Sequence, residues 1–110
     1  MKRIDVVVPA YNEMACLERF HAELSAVLDR LPYRFRVIVV DDGSRDRTPD
    51  ICRELAARDP RVEYIRLSRN FGHQAALTAG LDAADADAVI TMDADLQHPP
   101  SAVPAFLAAW

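Results

Sequence analysis

Residues 89–100 of the chain are VITMDADLQHPP, an apolar run that ends in two acids, an amide, an imidazole and two prolines. The length of the apolar run and the turn-forming residues around it predict a buried β-strand. Because side chains alternate along a strand, we expect Asp93 and Asp95 on the same side. Two carboxylates so placed suit Mg²⁺ or Mn²⁺, with substrate phosphates completing the coordination. Acids after strands also form turns and helix caps, so the pair alone leaves both interpretations open.

The composition indicates one small domain with its own core. The chain has 110 residues, of which 51% are hydrophobic. Its net charge is −4 and Lys2 is its only lysine, so we expect no nucleic-acid partner. Cys16 and Cys52 form no metal-binding pattern and are expected to be reduced in a cytosolic setting. We find no signal peptide and no run of about 18 apolar residues, so no membrane span is predicted.

Hydrophobic periodicity predicts four strands that alternate with four helices. This order is typical of an α/β fold, here a Rossmann-like, mostly parallel sheet with helices on both faces. The third strand is expected to be less buried than the first two, and Gly80 inside the third helix indicates close packing there. Asn12, Thr48 and Ser101 are predicted to cap the first, second and fourth helices. The predicted strands are residues 4–9, 35–40, 62–67 and 88–92, and the predicted helices are residues 13–31, 49–59, 74–84 and 102–110.

Polar residues follow every predicted strand. Ligands of parallel α/β sheets bind at the carboxyl ends of the strands, so these side chains are expected to meet at one edge. A shared site explains the clustering better than four unrelated caps do. The residues are Tyr11, Asn12 and Glu13 after the first strand, Asp41 and Asp42 after the second, Arg69 and Asn70 after the third, and Asp93 and Asp95 after the fourth.

Two common phosphate-binding motifs are absent from the sequence. There is no Gly-x-Gly-x-x-Gly after the first strand and no Gly-x-x-x-x-Gly-Lys-Ser/Thr. Because the chain has only three glycines, its backbone is not expected to wrap a phosphate closely. A metal ion at Asp93 and Asp95 is therefore expected to hold a nucleotide diphosphate. Its base and ribose would lie at the ends of the first two strands.

Four motifs together resemble family 2 glycosyltransferases with the GT-A fold. They are VPAYNE at residues 8–13, DDGS at 41–44, RNFGH at 69–73 and DADLQ at 93–97, in the order and approximate spacing of that family. Within it, the chain looks most like the dolichyl- and polyprenyl-phosphate sugar transferases. The resemblance implies a UDP- or GDP-sugar donor, a Mg²⁺ or Mn²⁺ cofactor and a polyprenyl phosphate acceptor.

The resemblance also implies roles for individual residues. Asp42 would accept a hydrogen bond from a base N–H, whereas Asp41 either shares this role or is structural. Arg69 and Asn70 would support the donor loop. The residues implied to bind the nucleotide sugar are Pro9, Ala10, Tyr11, Glu13, Val40, Asp41, Asp42, Arg69, Asn70, Asp93, Ala94 and Asp95. The residues implied to hold the metal are Asp93, Asp95 and Gln97.

The predictions for the aromatic and histidine side chains are less specific. For Tyr11, a role in packing and a role in the binding pocket are equally expected. His98 either faces the acceptor or belongs to a turn without chemistry. His73 is expected in a loop or a helix cap, and His21 on the surface.

The chain is shorter than the catalytic domains that it resembles. In those, a second half carries the acceptor site, so a catalytic base is expected beyond Trp110. We expect residues 1–110 to be the nucleotide-sugar-binding part of a truncated domain, of marginal stability, that binds nucleotide weakly and does not transfer sugar alone. The full-length protein is expected at the cytoplasmic face of a membrane, associated through C-terminal segments that this chain lacks.

Two other functions stay open. One is a non-catalytic nucleotide-binding fragment. The other is a phospho-acceptor receiver domain, a signalling module with an acidic pair after its first strand and a lysine after a late strand. Here the acidic pair follows the second strand and the only lysine is Lys2. Titration with nucleotides would separate the receiver domain from the other two functions.

Overall fold

A computed structural model of the chain describes residues 2–94 and 100–109. The four strands form one parallel sheet in the order β3-β2-β1-β4, which confirms the predicted α/β fold. The elements are β1 (Arg3–Ala10), α1 (Leu17–Leu28), β2 (Arg34–Asp41), α2 (Thr48–Arg58), β3 (Val62–Arg66), α3 (His73–Ala83), β4 (Ala88–Thr91), a 3₁₀ turn (Pro100–Ala102) and α4 (Val103–Ala109).

Helices cover both faces of the sheet. On one face, Ile4, Val6 and Val8 of β1 pack in a core cluster with apolar residues of α1, α2 and α4. On the other face, Val7 packs in a smaller cluster with residues of β2 and with Ala76 of α3. Because helices cover both faces of the sheet, the sequences of β1 and β2 are nearly continuous apolar runs.

Gly80 lets α3 lie close to the sheet, as predicted. A Cβ at this position would overlap the Cγ1 atom of Val7 and lie 3.1 Å from the Cγ2 atom of Val40. The helix-propensity cost of this glycine, about 1 kcal/mol, is offset by the close packing that it permits.

A buried ion pair ties the amino-terminal halves of the strands together. The Asp5 side chain on β1 is almost fully buried, and its Oδ2 atom lies 2.8 Å from Nη2 of Arg36 on β2. Arg36 also donates to Glu63 on β3 and to the carbonyl of Ala83, and the backbone N–H of Asp85 donates to Asp5. Burial acts to raise the pKa of Asp5, but the hydrogen bonds and charge of Arg36, together with the Asp85 N–H, outweigh it and lower the pKa.

Several local predictions are wrong. Asn12 does not cap α1, which begins at Leu17 after a turn; Asn12 instead adopts a positive φ of 52°. Thr48 is the first residue of α2 and not its cap, and Ser101 lies inside the 3₁₀ turn before α4. Asn12 and Thr48 instead use their side chains for contacts between two neighbouring loops.

The predictions for β4 and His21 are also wrong. β4 is only half-buried, with Val89 40% exposed, because it lies at the edge of the described sheet. His21 is half-buried, and its Nε2 atom lies 2.9 Å from Oδ2 of Asp59, so it joins α1 to the end of α2. β3 is less buried than β1 and β2, as predicted.

Both cysteines are unpaired thiols, and burial raises the pKa of Cys52 to about 12. Across residues 2–94 and 100–109, the helices are too short or too polar to cross a membrane.

Replacing Asp5 by Asn should destabilise the fold by about 3 kcal/mol at neutral pH, because Arg36 would lose its charged partner. Since the pKa of Asp5 is lowered by folding, its stabilising effect is complete above its unfolded pKa of about 4 and is lost as the pH falls below that value. Urea unfolding at several pH values measures both effects. Asp50→Asn, which alters an exposed pair on α2, is the control. A wild-type advantage over Asp5→Asn that persists unchanged at low pH would contradict this account.

Candidate functional site

A cleft of about 300 Å³ opens at the carboxyl ends of the strands, where the sequence predicted a site. A smaller cavity of about 220 Å³ adjoins it beside the end of β4. Residues that line the cleft are Pro9, Ala10, Tyr11, Glu13, Asp42, Asn70, Gly72, His73, Ala76 and Asp93. Residues that line the smaller cavity are Pro9, His73, Leu77, Thr91, Met92 and Asp93.

The structure brings most of the predicted binding residues together. Those that line the cleft are Pro9, Ala10, Tyr11, Glu13, Asp42, Asn70 and Asp93. Val40 and Ala94 are buried in the core, and neither lines the cleft. The Arg69 guanidinium lies 4.6 Å from the centre of the Phe71 ring, on the loop after β3. Asp95, Gln97 and His98 lie outside the described residues.

Asp41 is fully buried and shapes the turn after β2. Its Oδ1 atom accepts a hydrogen bond of 2.9 Å from the Ser44 N–H, and its Oδ2 atom accepts one of 2.9 Å from the Tyr64 hydroxyl. Burial and this contact with Asp41 raise the pKa of Tyr64. Of the two roles that the sequence left open for Asp41, these contacts favour the structural one.

Asp42 faces the cleft and also holds the loop between β3 and α3. Its two carboxylate oxygens accept hydrogen bonds from consecutive backbone N–H groups, Phe71 at 2.8 Å and Gly72 at 3.0 Å. Gly43 reinforces this contact, since its φ is 70° and a Cβ there would overlap the backbone of Arg69 and Asn70. The loop after β3 is therefore packed backbone to backbone against the turn after β2.

A second set of hydrogen bonds holds the loop between β1 and α1. The consecutive N–H groups of residues 12–14 donate to side chains of the segment after β2: Ser44 Oγ at 2.9 Å, Thr48 Oγ1 at 2.9 Å and Asp46 Oδ2 at 3.4 Å. In return, the Asn12 side chain accepts a bond of 2.9 Å from the Arg45 N–H. We call these four bonds the loop clasp. They fix the segment that carries Tyr11 and Glu13.

The pKa of Asp46 agrees with its place in the loop clasp. Burial acts to raise this pKa, but hydrogen bonds from Thr48 and from the Met14 N–H outweigh burial and lower it. The carboxylate is therefore held in its charged form, which is the stronger hydrogen-bond acceptor.

The charge of the described cleft is acidic. Glu13, Asp42 and Asp93 line it, and no lysine or arginine is among its lining residues. Carboxylate oxygens are suitable ligands for Mg²⁺ or Mn²⁺. Among residues 2–94 and 100–109, no group of three or more His, Cys, Asp or Glu side chains is arranged to hold a metal ion. Of the three predicted metal ligands, Asp93 is the one that the structure describes, and it lies in the cleft.

Sequence reasoning missed three lining residues at the start of α3: Gly72, His73 and Ala76. His73 was expected as a loop or cap residue, but it is the first residue of the helix and lines both cavities. The helical spacing of His73 and Ala76, three residues apart, places both on one face of α3. This spacing is visible in the sequence, but the direction of that face depends on how α3 packs on the sheet.

Comparisons with known proteins place these motifs in one family. Residues 5–110 match the family described as glycosyl transferase family 2. The chain is 43% identical over 105 residues to the uncharacterized glycosyltransferase YkcC of Bacillus subtilis, covering 96% of the chain and 32% of that protein. It is 40% identical over 110 residues to an undecaprenyl-phosphate 4-deoxy-4-formamido-L-arabinose transferase of Aeromonas hydrophila, covering 99% of the chain and 34% of that protein. The chain thus spans about a third of the length of these relatives.

Solved structures share the fold. A mannosyltransferase from Pyrobaculum calidifontis, in complex with GDP-Man and Mn²⁺, matches with a TM-score of 0.73 at 29% identity, over 86% of this chain and 28% of that one. S. aureus TarS in complex with UDP matches with a TM-score of 0.68 at 28% identity, over 86% of this chain and 28% of that one. The family match rules out the receiver-domain alternative. The chain belongs to glycosyl transferase family 2 and has the architecture of the N-terminal part of a GT-A fold.

Proposed function

We propose that the cleft binds a nucleotide-diphosphate sugar and that the protein transfers this sugar to a polyprenyl phosphate. The observation that carries the proposal is the convergence of Glu13, Asp42, Asn70 and Asp93, from the ends of four strands, on one cleft in a family 2 chain. The names of relatives support the acceptor class, since they include undecaprenyl-phosphate and bactoprenol sugar transferases. Structural neighbours hold GDP-Man or UDP, which supports the donor class but not one particular base.

The nucleoside is assigned to the part of the cleft near Tyr11. The Tyr11 side chain is 40% exposed, so its ring is available to contact a base. Asp42 accepts two backbone hydrogen bonds, and each carboxylate oxygen has a second lone pair that can accept from a base N–H. Glu13 is placed to accept hydrogen bonds from ribose hydroxyls.

The diphosphate is assigned to the end of the cleft at Asp93. Asp93 and Asp95, with Gln97, would hold a Mg²⁺ or Mn²⁺ ion, whose oxygen-ligand preference these side chains satisfy. The bound cation would stabilise negative charge on the leaving diphosphate. The described residues contribute binding and orientation of the donor. Arg69 supports the donor loop indirectly, through its stacking on Phe71.

The acceptor site and the catalytic base are assigned to parts of the protein outside residues 1–110, because this chain spans about a third of its relatives. A polyprenyl chain is apolar and resides in a membrane, so we place the reaction at the cytoplasmic membrane face. The alternative is a nucleotide-binding fragment without catalysis. A transfer assay with a nucleotide sugar and a short polyprenyl phosphate separates the two functions.

Metal-dependent nucleotide binding tests the donor site. Calorimetric titration with UDP and with GDP, each with and without Mn²⁺, should show that one nucleotide binds and that Mn²⁺ strengthens binding. Asp93→Asn should weaken the metal-dependent binding by about tenfold or more, since loss of even a group that only orients a metal ligand costs about that much. Asp95→Ala should weaken the metal-dependent binding in the same way. Asp82→Asn, which changes an exposed acid on α3, is the matched control. A folded protein that binds neither nucleotide, or an Asp93→Asn variant with wild-type affinity, would refute the assignment.

The loop clasp predicts a second effect on binding. Thr48→Val keeps the side-chain shape but removes the acceptor of the Glu13 N–H, so the segment with Tyr11 and Glu13 should lose its fixed position. We expect a stability loss of about 1–3 kcal/mol, because the part-buried Glu13 N–H loses its acceptor and Asp46 loses the Thr48 hydroxyl, and weaker nucleotide binding. Thr48→Ser keeps the hydroxyl and should restore the affinity. Urea unfolding and nucleotide titration measure the two effects; equal affinities for Thr48→Val and Thr48→Ser would argue against the clasp.

A further inference from the structure

The cleft and the smaller cavity meet at three residues. Pro9, His73 and Asp93 line both, so they lie at the junction between the two spaces. The cleft residues proposed to contact the nucleoside, Tyr11 and Glu13, line the larger space alone. The junction is therefore the end of the cleft where the proposed diphosphate would lie, next to the carboxylate of Asp93.

The described part of the cleft offers a diphosphate few positively charged partners. Among the described lining residues, three carry carboxylates, and the imidazole of His73 is the one basic side chain. The arginine nearest to His73 in sequence is Arg69. Its guanidinium is stacked on Phe71, and Arg69 does not line the cleft. A metal ion can offset part of the anionic charge, but hydrogen bonds to the other phosphate oxygens must come from neighbouring groups.

We propose that His73 donates a hydrogen bond to the diphosphate of the nucleotide sugar, an inference that rests on the proposed function. An imidazole has at least one N–H donor in either protonation state, so this role does not depend on its charge. The side chain is exposed and shares its helix face with Ala76, which also lines the cleft. Phosphates are favoured at helix N-termini, and His73 is the first residue of α3.

The loop after β3 fixes the position of His73. The preceding residue, Gly72, has a φ of 104°, and its N–H is bound to Asp42 at 3.0 Å. The start of α3 is thus anchored to the end of β2, and the imidazole does not depend on a loosely held loop. His73 binds the phosphate end of the donor, whereas the loop clasp acts on the nucleoside end.

A phosphate at this junction has two possible sources, the donor diphosphate and the phosphate of the polyprenyl acceptor. The donor is favoured because His73 lines the same cleft as Tyr11 and Asp42. The test therefore uses three probes at a fixed Mn²⁺ concentration: a nucleoside diphosphate (UDP or GDP), the matching nucleoside, and a short prenyl phosphate. Calorimetry measures the diphosphate and the prenyl phosphate, and NMR titration measures the weaker nucleoside.

His73→Ala in the purified protein should raise the Kd of the nucleoside diphosphate about tenfold, which corresponds to the loss of one hydrogen bond to a charged group. The Kd values of the nucleoside and the prenyl phosphate should not change. His73→Gln, which keeps an N–H donor, should recover part of the affinity. Gln74→Ala changes the adjacent exposed residue, which does not line the cleft, and should bind like the wild type.

Each other outcome overturns the proposal in a recognisable way. Equal losses for the nucleoside and its diphosphate would mean that His73 acts on the shape of the whole cleft. A loss confined to the prenyl phosphate would place His73 on the acceptor side. Unchanged binding of all three probes would mean that it contacts none of them. If the folded wild type binds no nucleoside diphosphate, the proposed function itself fails, and the role of His73 fails with it.

Discussion

The cleft depends on the short segment that follows β2. Within residues 41–48, Asp42 binds two backbone N–H groups of the loop after β3, and Gly43 allows that loop to approach closely. The side chains of Ser44, Asp46 and Thr48 bind three consecutive N–H groups of the loop after β1. One segment therefore positions both neighbouring loops, which carry Tyr11, Glu13 and Asn70 of the proposed nucleotide site.

Opposite ends of the sheet carry different polar networks. At the amino-terminal halves of the strands, Asp5 and Arg36 pair in a buried network whose groups satisfy one another. At the carboxyl ends, the carboxylates of Asp42 and Asp93 line an open cleft. The two ends have similar residue types, but the first stabilises the fold and the second lines the cleft that is proposed to bind the donor.

The architecture could be predicted from sequence because periodicity and strand-helix alternation are local patterns. The close packing of α3 at Gly80 could be predicted for the same reason, because a glycine inside a helical pattern is a local signal. The loop clasp could not be predicted from the sequence. Its bonds join residues more than 30 positions apart, such as Asn12 with Ser44 and Glu13 with Thr48. Each of these residues by itself resembles an ordinary cap or turn residue. The sequence also could not separate Asp41 from Asp42, since their difference arises from the direction in which the strand end turns. The exposure of β4 depends on its place at the sheet edge, which strand order decides.

The loops held by the segment after β2 are proposed to form a nucleotide-diphosphate site. Two-dimensional NMR of the ¹⁵N-labelled protein, titrated with UDP or GDP in the presence of Mg²⁺, shows where the nucleotide binds. We expect the largest shifts on the amides of residues 10–13, 42–44, 70–73 and 93, which lie together on one edge of the sheet. Shifts centred instead on the apolar groove lined by Val89, Ile90, Phe106 and Leu107 would contradict it.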